Sequence, residues 1–175
     1  MIERDSKDWT WVITRQCPEC GFDPSEFDVD DTAATILAIV DDWMGVLADD
    51  SATTRSRTDR WSPLEYGCHV RDVFMIFDRR LAAMVEQDGA RFENWDQDRA
   101  AVEGRYDQQD PRDVAGQLAE AGRELARRFQ QVRGELWDHR GFRSNGSEFT
   151  VRTFAVYLVH DPLHHLFDVG WSASR

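Results

Sequence analysis

The stretch Trp61-Ser62-Pro63-Leu64-Glu65-Tyr66-Gly67-Cys68-His69 decides how the chain is read. Ser62 carries a hydroxyl that can accept from the backbone N–H three residues on. Pro63 suits a first helical position, where no N–H is needed, and Glu65 can reach back to close a capping box. A start specified this fully predicts that Val73, Phe74, Ile76, Phe77, Leu81 and Met84 form the buried stripe of one helix. That helix should run to about Gln87 and stop at Gly89.

Upstream, Ile36, Val40, Trp43, Met44 and Leu47 recur at three- and four-residue steps, predicting a helix over about Asp31 to Ala48. Downstream, Asp110 caps and Pro111 opens another, marked by Val114, Leu118, Leu125, Phe129 and Val132 and ending near Gly134. A last helix starts near Thr150. Its Val151, Phe154, Tyr157, Leu158, Leu163 and Phe167 surround most of the circumference, so it should be the most buried of the four. Four such segments predict an all-α four-helix bundle over residues 30–175. Residues 1–29 have no sustained helical period and read as a non-helical N-terminal arm. The connection from Gly89 to Asp110 is polar, apart from Phe92, Trp95 and Tyr106, and Leu136 to Phe149 reads as a loop broken by Gly141, Asn145 and Gly146.

At 175 residues the chain is long enough for one domain with a core of its own, and seven Trp and ten Phe stock that core. A net charge of -12 repels phosphates, so nucleic-acid binding is not expected. No apolar run spans a bilayer and the amino terminus lacks a signal-peptide layout, which predicts a cytoplasmic protein with no membrane partner. Three Cys, an odd number, fit reduced thiols or metal ligands better than a disulfide framework.

His160 and His164 stand four apart, on one helical face, where two imidazoles can converge on one ion. On the second helix His69 has Glu65 at minus four and Asp72 at plus three, and either carboxylate could hold its second ring nitrogen. The plainer alternative is a core His paired with Asp72. Pro162, between the paired histidines, removes a backbone donor and predicts a kink, or a helix broken before Asp161. Cys17 and Cys20 have the spacing of half a zinc ribbon or of a redox pair. Completing a site would need Cys68 and His139 to approach the arm, and a turn with incidental thiols is the simpler reading.

Trp61 to Tyr66 with His69 and Asp72, followed some ninety residues on by His160-Asp161-Pro162-Leu163-His164-His165, resembles the DinB/YfiT-like family of metalloenzymes over about Asp30 to Gly170. The resemblance implies an up-down-down-up four-helix bundle with a three-histidine site, here His69, His160 and His164, taking zinc or nickel. His165 points about 100 degrees away from His164 on the helix and is left out of that set; His139, in a polar loop, is expected to be solvated. Relatives implied by the resemblance include the mycothiol-dependent maleylpyruvate isomerase and thiol S-transferases. The expected function is therefore a metal-dependent, thiol-dependent S-transferase or isomerase acting on a small electrophile, or a metal-dependent hydrolase. In that scheme Glu65 or Asp72 orients His69, Tyr157 donates to the substrate, and Arg71 and Arg152 bind the thiol cofactor. A non-catalytic metal-binding stress or sensor protein is the alternative, and a homodimer is one assembly open to such a bundle.

Overall fold

The computed structural model describes residues 8–171. Its helices and strands are α1 (Thr32–Ala48), α2 (Pro63–Glu86), β1 (Ala90–Phe92), α3 (Gln97–Glu103), α4 (Pro111–Phe129), β2 (Arg140–Arg143), β3 (Glu148–Thr150) and α5 (Val151–Asp168). The start of α2 is built as its sequence requires: Ser62 Oγ accepts from the Glu65 N–H at 3.2 Å, and Glu65 Oε2 accepts from the Ser62 N–H at 2.8 Å. Four long helices make the bundle. α4 lies against both α1 and α2, and α5 closes the other side of that pair. α1 and α4 approach closely at Gly122, where an added Cβ would sit 2.3 Å from Val40 Cγ2.

A strictly all-α fold is corrected by a small three-stranded sheet, which makes the molecule a mostly helical bundle with a β appendage. β1 pairs parallel with β2, Ala90 opposite Gly141, and β2 pairs antiparallel with β3, Gly141 opposite Phe149. The stretch expected to be a loop therefore forms a hairpin. Its strands are too short for alternation to show in sequence, and Gly141, which reads as a breaker, is a packing position where a Cβ would meet Met84 Sδ at 2.7 Å.

The arm is not wholly without helix. Trp9–Ile13 form a 3-10 turn capped by Asp8, bury Val12 and pack on α5. α5 runs unbroken through Pro162, so the expected break before Asp161 does not occur. The Pro162 carbonyl accepts from Trp43 Nε1 at 3.2 Å, tying α5 to α1 inside the core. Beyond α5, Gly170 at φ +69 turns the chain. Its N–H donates to Phe167 O while that of Trp171 donates to Leu166 O, both at 3.0 Å. The Trp171 ring then lies over Gly45, and its Nε1 donates to Asp42 Oδ1 at 3.1 Å.

Candidate functional site

The six residues His160 to His165 on α5 present two pairs of donors four apart rather than one. His160 and His164 share a face, as do Asp161 and His165, and the two faces are turned about 100 degrees apart because each residue advances the helix by that angle. The 161/165 face meets α2 and the 160/164 face meets the arm.

On the α2 side, His69, Asp161 and His165 converge. His69 Nε2 is 3.2 Å from Asp161 Oδ1, and His165 Nε2 is 3.9 Å from the same oxygen. The other nitrogen of His165 is held by Asp168 Oδ2 at 2.9 Å, the carboxylate support that orients metal-binding imidazoles. His69 is fully buried, stacked on Trp95 with ring centroids 5.3 Å apart and flanked by Trp61 at 5.6 Å. Burial pushes the Asp161 carboxyl up, but His69 and His165 beside it outweigh that and hold it at about 2, so it is charged at neutral pH. Two imidazoles and a carboxylate are a donor set suited to zinc or another divalent transition ion.

On the arm side, Cys17, Cys20, His160 and His164 bring one donor atom each within 4.8 Å of one another. The expected triad of His69, His160 and His164 is thus divided between two clusters, and His165, left out of it, stands beside His69. Cys68 and His139 do not complete a site with the arm. The Cys68 Sγ lies against the Tyr106 carbonyl, and His139 is tied by Nδ1 to the Met84 carbonyl at 2.8 Å rather than left to solvent.

The supporting residues expected from helical spacing are occupied elsewhere. Glu65 is spent on the α2 cap and on Arg55, and Asp72 accepts from the Tyr106 hydroxyl and from Arg71 Nε, so neither holds His69. The His69 Nδ1 atom has no hydrogen-bond partner among the described residues. Arg71 is buried between Asp72, Gln109 and Gln117, and Arg152 is paired with Asp138 over the Trp137 ring. Neither opens on the site.

The site opens on a cavity of about 1010 Å³. Trp9, Trp61 and Trp95 contribute to its wall, His160, Asp161, His164 and His165 to its lining, and Tyr157 stands there with Arg143. Arg143 Nη1 donates to the Tyr157 hydroxyl at 3.4 Å. Burial raises the Tyr157 phenol further than Arg143 lowers it, so it stays protonated and can donate. Among the described residues the Arg side chains on the cavity are Arg60 and Arg143, against carboxylates including Asp8, Asp59, Asp96, Asp98 and Glu148. No described helix is long and apolar enough to cross a membrane.

No curated protein matches the chain. The solved structure of YfiT from Bacillus subtilis, described as a probable metal-dependent hydrolase with an unusual four-helix bundle topology, is similar with a TM-score of 0.72. That likeness spans 86% of this chain and 95% of that one at 14% identity, and it is a likeness of fold. The model of the DinB superfamily matches residues 30–167, from just before α1 into the last turn of α5, and the chain belongs to that superfamily.

Proposed function

We propose that the protein is a metal-dependent enzyme acting on a small molecule in the cavity, with His69, Asp161 and His165 holding the ion. The observation that carries this reading is the convergence of the three side chains, from two helices, beneath an open cavity. A divalent zinc or nickel ion bound there supplies a Lewis acid with positions left for substrate. The chain's own residues do the rest. Asp168 fixes the ring of His165, Trp61 and Trp95 keep water from the flanks of His69, and Tyr157 donates to a substrate oxygen.

The excess of carboxylates around the cavity favours a neutral or cationic substrate, and hydrolysis of such a compound is the first reading. Transfer of a low-molecular-weight thiol, mycothiol among them, to a small electrophile is the second. It is favoured by Arg60 and Arg143, which could meet a carboxylate on the thiol in place of Arg71 and Arg152.

The test is metal-loaded, tag-free protein assayed both for hydrolysis of neutral esters and amides and for consumption of thiol with an electrophile. Asp161→Asn and His165→Ala should each lower the productive activity at least a hundredfold and remove one equivalent of metal. Unchanged metal content in both variants, with no turnover in either assay, would leave a non-catalytic bundle as the better account.

A further inference from the structure

The cluster on the arm side is absorbed by none of this chemistry. Cys17 and Cys20 lie on a turn whose backbone aims both thiols the same way: the Gly21 N–H donates to Cys17 O at 2.9 Å, the Cys17 N–H donates to Phe22 O at 2.8 Å, and Gly21 takes φ +80. This turn sits against α5, where Cys17 Sγ is 3.7 Å from His164 Nδ1. Tetrahedral zinc, with sulfur at about 2.3 Å and imidazole nitrogen at about 2.05 Å, places the two donors about 3.6 Å apart.

A thiol hydrogen bond would give a similar separation, so a second observation is needed to choose. His160 Nε2 supplies it. The ring is buried between Trp9 and Phe22, with centroids 5.6 and 5.7 Å away, and this nitrogen has no hydrogen-bond partner among the described residues. A buried polar atom left unpaired costs free energy, and a bound cation would satisfy this one. The far nitrogen of His164 faces carboxylates, with Nε2 3.7 Å from Glu19 Oε2 and 3.9 Å from Asp168 Oδ2. That is the placement expected when Nδ1 binds a cation.

We infer that Cys17, Cys20, His160 and His164 form a closed, four-coordinate zinc site that clamps the N-terminal arm to α5. Two thiols bind as thiolates and two imidazoles as neutral ligands, so binding one Zn²⁺ releases two protons and leaves the centre with no net charge. Four protein ligands fill the tetrahedron and leave no position for substrate, which marks the ion as structural. The inference does not depend on the His69 cluster.

In tag-free protein, one equivalent of zinc should persist in the His69→Ala and Asp161→Asn variants and be missing from the Cys17→Ser/Cys20→Ser double variant. Because the double variant can fail to fold, the whole protein provides a second measurement. With cobalt in place of zinc it should show a thiolate-to-cobalt charge-transfer band and the intense visible bands of a tetrahedral ion, both abolished when a mercurial titrates the two thiols. Cobalt-loaded protein without the thiolate band, or a Cys17–Cys20 disulfide in protein purified under nitrogen, would overturn the inference. So would a folded double variant that keeps its full zinc.

Discussion

At the scale of single residues, the choice between His164 and His165 shows what spacing leaves open. Both belong to pairs four apart, His160 with His164 and Asp161 with His165, and a one-residue step exchanges the face that meets α2 for the face that meets the arm. Only the rotation of α5 about its axis decides between them. That rotation is illegible in the sequence because α5 is buried nearly all round, so no apolar stripe marks which side faces inward. His69 itself was legible, as was its place on a capped helix. Glu65 and Asp72 share its helical face without supporting it, because helical spacing reports neighbours on one helix and not the Arg55 and Tyr106 that reach in from connections. Trp43 offers a test at this scale. Trp43→Phe removes the donor to the Pro162 carbonyl and part of a fully buried ring, and should lower stability by about 2 kcal/mol in urea titrations while leaving the metal content unchanged.

At the scale of elements, the four long helices follow their signals closely. Ser62, Asp110 and Thr150 each cap where expected, and each has a side chain accepting from the backbone of the helix that follows. Local hydrogen bonds of this kind are written within a few residues, which is why they can be read. The sheet joins β1 to β2 across nearly fifty residues, and nothing local announces it. The α2 cap also carries a charge. Burial raises the Glu65 carboxyl, but the hydrogen bonds from Arg55 and Ser62 outweigh it, so the folded value lies below the ordinary one. The stability this supplies is therefore present above the unfolded value of about 4.3 and is lost as pH falls through the folded value. Glu65→Gln should be less stable than the parent near neutral pH, and the gap in urea midpoint should narrow as pH falls below the unfolded value and close once the folded value is passed. A gap that stays constant over that range would show that the cap, and not the charge, accounts for the loss.

At the scale of the whole molecule, the arm and the bundle share a surface. Residues 1–29 and 30–175 read as separate units in sequence, yet Val12 and Cys17 are almost wholly buried and Phe22 packs on His160 of α5. Removing residues 1–29 should therefore lower bundle stability by about 3 kcal/mol, roughly what burying one or two apolar side chains provides. Urea titration of the two proteins checks this, and equal midpoints would mean that the arm rests on the bundle without supporting it. The unbroken course of α5 has a mechanical side as well. A rigid rod with donors on adjacent faces has one rotational degree of freedom about its axis, so a few degrees of twist would carry His160 and His164 away from the arm and swing Asp161 and His165 past His69 in the same movement. Trp43 at Pro162 and the Gly170-Trp171 hook over Gly45 act as two bearings on that shaft. If both proposed sites are filled, the ion beside His69 is thus indexed to the ion beside Cys17, and a change in the rotation of α5 would alter both geometries together.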